Sequence, residues 1–245
     1  PGRISGFDID TNFFLGNHPP FASVEAANIA DVSEVRDWDQ AGWKEILSRS
    51  HLDAGSQNFF EISSDQVYTH IRLHIYPDGG VARLRVYGDV FKNWDAVSAN
   101  DIVDLASAIN GGKAIACNDM FFSAMGNLIM PGRGINMGDG WETKRNRTPG
   151  NRDWVILKLA HKGSIERVIV DTCHFKGNYP DSCSLEGCMA GNDEEVVNDK
   201  INWQIVMPPQ KLQADKEHEF IKEVNRQNIF SYVRLNIFPD GGISR

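Results

Sequence analysis

Apolar and polar residues alternate along much of this chain at a spacing of two, not at helical spacing. Thr69–Tyr76 (THIRLHIY) and Arg83–Tyr87 (RLRVY) set apolar side chains on every second position, the signature of half-buried strands. Pro77-Asp78-Gly79-Gly80 lies between them. Pro presets one turn dihedral and Gly accepts positive φ, so the spacing predicts a β-hairpin. Trp154–Leu159, Ile165–Val170 and Ser182–Gly187 read as further strands, the first two as an antiparallel pair joined through His161–Ser164. Helical patterning is confined to Ala99–Ala108 and Glu194–Asp199. Many short strands punctuated by turns predict antiparallel β-sandwiches. Trp43, Trp154 and Trp203 are expected in the cores.

The pattern occurs twice. Asp10, Thr11, Phe14, Gly16, Asn17, Pro19 and Glu25 recur in order as Asp171, Thr172, Phe175, Gly177, Asn178, Pro180 and Glu186. THIRLHIYPDGGVAR recurs as SYVRLNIFPDGGISR, ending at Arg245, and the offsets of the two blocks differ by a single residue. So constant an offset over so long a span means duplicated domains. The predicted class is all-β, with one sandwich over residues 1–90, a linker over Asp89–Asn100 and a second sandwich over residues 101–245. By the repeat, the first copy lacks an N-terminal part of about 60 positions and the second lacks its last strand.

Composition narrows the function classes. A formal net charge of -8 disfavours nucleic acid, which needs clustered cations, although a local arginine cluster can still hold a small anion. No apolar run is long enough to span a bilayer. Cys117, Cys173, Cys183 and Cys188 contain no CxxC pair and are expected to be reduced thiols of an intracellular protein, cytoplasmic or peroxisomal. A zinc site from Cys173, Cys183, Cys188 and His174 fits no common ligand spacing.

Two polar segments carry candidate chemistry. Asp139-Gly140-Trp141-Glu142-Thr143-Lys144-Arg145 sets carboxylates and cations around an aromatic, with Arg133 and Asp153 nearby; the bland alternative is a loop with Trp141 docked in the core. Asp171-Thr172-Cys173-His174-Phe175-Lys176-Gly177-Asn178 puts an imidazole, which titrates near neutrality in water, beside a carboxylate and an amide. There the bland alternative is loop capping by Asp171 and Asn178. The first copy has Phe13 in place of His174 and gains His18 opposite Tyr179. Strand parity predicts that the two segments share one end of the second sandwich, where loops on a rigid scaffold usually carry function. Pro239-Asp240-Gly241-Gly242 is most simply a turn, and Arg72 and Arg234 are either surface charges or carboxylate clamps.

Together, LIMPGRG (Leu128–Gly134), DGWETKR, DTCHFKGN and the duplicated R-L-x-I-x-P-D-G-G motif resemble the allantoicase family over essentially the whole chain. The resemblance implies two jelly-roll sandwiches similar to galactose-binding and discoidin domains. It also implies hydrolysis of allantoate to ureidoglycolate and urea. Such a site needs a cation for the carboxylate, acceptors for ureido N–H groups and an acid/base group. Asp139, Glu142, Asp171 and His174 are the catalytic candidates. Arg133, Lys144, Arg145, Asn178, Arg234 and Asp240, with Asp10, Asn17, His18, Arg72 and Asp78 of the first copy, are the binding candidates. No cofactor is predicted and divalent-metal dependence is left open. The expected partner is the small-molecule substrate, with no nucleic acid and no membrane; homo-oligomerisation is left open. The alternative is a non-catalytic sandwich that binds sugars or small polar ligands, including a relative that has lost activity. The acid/base-rich segments favour the enzyme, because a sugar binder would instead display stacking aromatics at a loop tip.

Overall fold

The structure, a computed structural model, describes residues 1–245 except positions 32, 34, 36, 99 and 199. The chain divides into two compact units, Pro1–Ala96 and Val97–Arg245.

In the first unit, β1 (Gly2–Asp10), β2 (Phe21–Ala27), β3 (Lys44–His51), β4 (Gln57–Glu61), β5 (Val67–Tyr68), β6 (His70–Tyr76) and β7 (Arg83–Val90) form two antiparallel sheets. β1 is flanked by β7 on one side and by β4 and β5 on the other, while β2 lies between β3 and β6. A bulge between Ile4 and Gly6 shifts the inward parity of β1, so Ile4 and then Phe7 and Ile9 all reach the core with Ala22, Val24 and Ala26 of β2. The second unit repeats the plan. Its strands are β8 (Lys113–Cys117), β9 (Trp141–Glu142), β10 (Asp153–Ser164), β11 (Val168–Asp171), β12 (Ser182–Cys188), β13 (Gln204–Lys211), β14 (Glu217–Phe220), β15 (Ile229–Phe238) and β16 (Gly242–Ile243). Five of them form the sheet β13-β12-β15-β10-β8, and β11 pairs with β14, β16 with β9. Alternation on β15 sends Val233, Leu235 and Ile237 into the main core, whereas Tyr232 joins a smaller cluster on the opposite face. The two tandem antiparallel β-sandwiches expected from the pattern are present.

Two pairings differ from expectation. The strands flanking Pro-Asp-Gly-Gly do not form a hairpin: β6 pairs with β2, and β7 with β1. The turn's N–H groups are used elsewhere, Gly80 donating to the Asn17 carbonyl at 2.8 Å and Ala82 to that of Asp10 at 2.7 Å. At Gly79 (φ +137°) a Cβ would lie 2.4 Å from the Pro19 nitrogen, so the motif is a clamp on the 10–19 loop. Likewise β10 runs on to Ser164 and pairs with β15 and β8, and β11 crosses to the other sheet instead of turning back on β10. The helical patterning at 99–108 yields only a 3-10 turn at Ala108–Asn110, with Ala99 outside the described residues. The second helical segment is α1 (Asp193–Val197), which starts where the Asn192 side chain accepts from the Glu195 N–H at 3.0 Å; Asp199 lies outside the described residues. No helix among the described residues is long and apolar enough to cross a membrane.

The four cysteines are free. Burial pushes the Cys183 thiol up to about 12 and the Cys188 thiol to about 11. The thiolate is the reactive form, so a thiol reagent at pH 8 should leave both unmodified until denaturant is added. Labelling of either in the native protein, read by mass spectrometry, would contradict this burial.

Candidate active site

The polar segments of the second unit meet at one end of its sandwich. Five elements deliver them: the loop after β8, β9 and its continuation, the end of β11, the start of β12 and the end of β15. Trp141 is fully buried, and its Nε1 donates to the Asp119 carbonyl at 2.8 Å. That anchorage fixes β9, so the half-buried Glu142 beside it faces the DTCHFKGN loop, where Asn178 Nδ2 donates to Glu142 Oε1. Phe175, also fully buried, is the second anchor. A Cβ on Gly242 would fall 1.9 Å from its ring and one on Gly140 2.9 Å, which is why glycine occupies both positions.

Asp171, at the end of β11, is 1% exposed. It accepts from Arg133 Nε at 3.1 Å and from the Cys173 N–H at 2.9 Å, and its hydrogen bond raises the Arg133 pKa further. Three residues on, His174 adopts φ +71°, a left-handed conformation disfavoured for any residue with a Cβ. Its N–H is held by Asp215 Oδ1 at 2.8 Å, and its Nε2 lies 2.8 Å from the Gly134 carbonyl. A carbonyl can only accept, so Nε2 carries the proton in that contact and Nδ1 keeps its lone pair in the neutral ring. The His174 N–H in turn holds the Asp215 carboxyl below the usual carboxylate range.

Two of the predicted carboxylates serve as braces. Asp139 accepts from the Ile135 N–H at 2.7 Å, and Asp240, 8% exposed, from the Asn146 N–H at 2.8 Å. Lys144 Nζ stands 3.6 Å from Asp119 Oδ2. Arg145 is exposed and makes no hydrogen bond or ion pair among the described residues. For a metal, Cys173, His174 and Asp215 offer ligand atoms within 4.8 Å of one another. The four-residue set considered from sequence does not converge, since Cys183 and Cys188 belong to separate apolar clusters.

Residues 1–91 and 103–245 match the family model described as allantoicase repeat. The chain belongs to the allantoicase family. It is 53% identical to a probable allantoicase of Pseudomonas fluorescens (strain Pf0-1) over 247 residues, covering all of this chain and 73% of that relative. A probable allantoicase of Stutzerimonas stutzeri (strain A1501) is 52% identical with the same coverage. The crystal structure of allantoicase from Saccharomyces cerevisiae superposes with a TM-score of 0.83 at 39% identity, covering all of this chain and 72% of that one. These likenesses place the chain among hydrolases of the allantoin pathway.

The two copies of the allantoicase repeat share a scaffold but differ in the side chains they carry at matching positions. Phe13 has φ +71°, as His174 does, so the strained backbone is kept while the imidazole becomes a phenyl ring 88% exposed. Asp10 accepts from Arg85 at 3.2 Å and from the Asn12 N–H at 2.8 Å, the latter matching the Cys173 N–H on Asp171; the Asn12 bond is the main cause of its lowered pKa. Asn17 and Asp78 are exposed and His18 is half-buried.

The arginine expectation needs correcting. Arg234 is not at the loop end: it lies on the outer face of the five-stranded sheet, 2.8 Å from Glu186 and stacked 4.4 Å over Trp203. Arg72 repeats the arrangement with Glu25 (2.8 Å) and Trp43 (4.7 Å). Cross-strand register puts each arginine directly opposite its glutamate, so both guanidinium groups are committed to carboxylates of the protein itself. Trp43 is therefore a half-buried partner of arginine outside the apolar clusters, whereas Trp203, also half-buried, packs with Trp154 against the smaller cluster around Tyr232 as well as against its arginine. Sequence reading missed Asp215 and Asp119, which lie in no motif and reach the site only through the fold.

Proposed function

We propose that this chain hydrolyses allantoate to ureidoglycolate and urea, and that the loop end of the second unit is where it does so. The observation that carries the proposal is the Glu142–Asn178 contact, which joins the two motif segments around one half-buried carboxylate in a member of the allantoicase family. The substrate carries a carboxylate and two ureido groups on one carbon. As one C–N bond breaks, the leaving nitrogen takes a proton, the remaining ureido nitrogen supports the electron-poor carbon, and water adds there with loss of a proton. Glu142 and His174 are the groups suited to those transfers. Asp171 acts by holding Arg133, and Asp139 by holding the loop. Arg145, with its guanidinium uncommitted, is the cation for the substrate carboxylate.

The purified protein should release urea and ureidoglycolate one for one from allantoate; ammonia as the nitrogen product would refute this bond assignment. Arg145→Ala removes a charge-assisted contact of about 1.5–3 kcal/mol, so KM should rise roughly 10–150-fold with kcat nearly unchanged. An unchanged KM would remove Arg145 from the site.

A further inference from the structure

Where the second copy carries the His174 imidazole, it also carries a carboxylate that the first copy lacks. The loops that hold them are built alike. Thr172 Oγ1 donates to the Gln213 carbonyl at 2.6 Å and accepts from the Lys216 N–H at 3.0 Å. Thr11 Oγ1 makes the same pair of bonds, to the Asp53 carbonyl at 2.6 Å and the Ser56 N–H at 3.1 Å. These bonds align Asp215, just before Lys216, with Gly55, just before Ser56. Both have positive φ, +50° and +58°, as His174 and Phe13 both have +71°. The left-handed backbone is therefore common to the two copies. Its side chains are not: imidazole and carboxylate in one copy stand where a phenyl ring and a hydrogen stand in the other.

Glycine is the residue that such a φ favours, so the side chain at 215 is kept at a cost in backbone energy. Its contacts show what it does. Asp215 Oδ1 accepts from the His174 N–H at 2.8 Å, and the Asp215 N–H donates to the Phe175 carbonyl at 3.2 Å. In the first copy the Phe13 N–H is met locally, by Asn12 Oδ1 at 3.1 Å. Cys173 takes that place in the second copy, and a thiol is only a weak acceptor. The second acceptor oxygen, Asp215 Oδ2, faces the mostly exposed Lys176 Nζ at 3.8 Å, a pair weakened by water, and Oδ1 is left to His174. We propose that Asp215 is a positioning residue of the reaction. It fixes the His174 main chain, so that the ring rests on the Gly134 carbonyl through Nε2 at 2.8 Å and keeps the Nδ1 lone pair for a proton. The inference rests on the acid/base role given to His174 above, and the carboxylate acts through that ring, not on the substrate.

Asp215→Gly removes the acceptor and installs the residue that the first copy has there, so the turn keeps a backbone it can adopt. It should lower kcat for allantoate roughly 10–100-fold, the scale of a misplaced catalytic group, with KM within about twofold. Its melting temperature should stay within about 2–4 °C of the parent. Asp215→Asn keeps the acceptor and tolerates the same φ, so kcat should return to within about threefold of the parent. In a His174→Ala background, with no ring to position, Asp215→Gly should change residual turnover less than about twofold. Long-range ¹H–¹⁵N spectra at about pH 8, above the ordinary histidine range, read the ring directly. The parent and Asp215→Asn should show His174 as the Nε2–H tautomer, and Asp215→Gly should show the two tautomers averaged. Parent-like kcat in Asp215→Gly overturns the inference, as does an unchanged ring spectrum. The same fold loss in the His174→Ala background, or no rescue by Asp215→Asn, overturns it too. If the parent releases no urea while the ring spectrum changes as expected, the reaction assignment falls and the hold of Asp215 on His174 stands.

Discussion

Glu142→Gln should lower kcat for allantoate by about 10²–10⁴-fold, the usual contribution of a positioned acid or base, while KM and melting temperature stay close to those of the parent. The amide keeps the volume of the carboxylate and an oxygen to accept from Asn178, so the contact between the two motif segments survives. What it loses is the ability to take and return a proton. Glu142 is half-buried on a two-residue strand whose backbone pairs with β16 and with Ser123, so the substitution leaves the hydrogen bonds that hold the strand in place. Steady-state kinetics beside thermal unfolding separate this reading from a purely structural one. A Glu142→Gln protein that unfolds early and retains its specific activity would end the catalytic assignment.

Trp141→Ala should act in the opposite sense. The indole is fully buried, packs in the main core of the second unit with Leu128, Ile129 and Ile243, and donates to the Asp119 carbonyl. Truncating such a side chain typically costs 3–5 kcal/mol, from lost burial and the cavity left behind. In a unit of this size each kcal/mol moves the melting temperature by about 2–4 °C, so a fall of roughly 6–20 °C is expected. Trp141→Phe should recover most of it, because packing returns and only the N–H donor is missing. Equal losses for the two variants would show that the hydrogen bond, not packing, holds β9.

The difference between these neighbours shows what could be read in the sequence. The duplication and the all-β class were legible, because each rests on local patterning: alternation, turn residues and recurring motifs. DGWETKR and DTCHFKGN do meet, but strand parity predicted this from a pairing of β10 with β11 that the structure does not have. That Trp141 is an anchor was one of two readings the motif allowed, and burial shows it to be right for Trp141 without removing Glu142 from the site. The pairing of strands was not legible. A Pro-Asp-Gly-Gly turn between alternating strands looks the same whether its N–H groups bond across a hairpin or to a loop far away in sequence, as those of Gly80 and Ala82 do. The roles of Arg72 and Arg234 were hidden for a related reason. Alternation says that a side chain faces away from the core, not what stands opposite it, and register supplies Glu25 and Glu186. Asp215 is tied to His174 across 41 residues, with no motif to announce it.

Urea release from three substrates by the purified protein, assayed side by side, tests the central claim most directly. Allantoate has a free carboxylate and two ureido groups on one carbon, the features that Arg145, Glu142 and His174 are proposed to act on. Allantoin is closed into a ring without that carboxylate, and arginine carries a cationic guanidinium in place of a ureido group. The account predicts urea from allantoate and none above background from allantoin or arginine. Equal turnover of the three, or release from arginine alone, would contradict it.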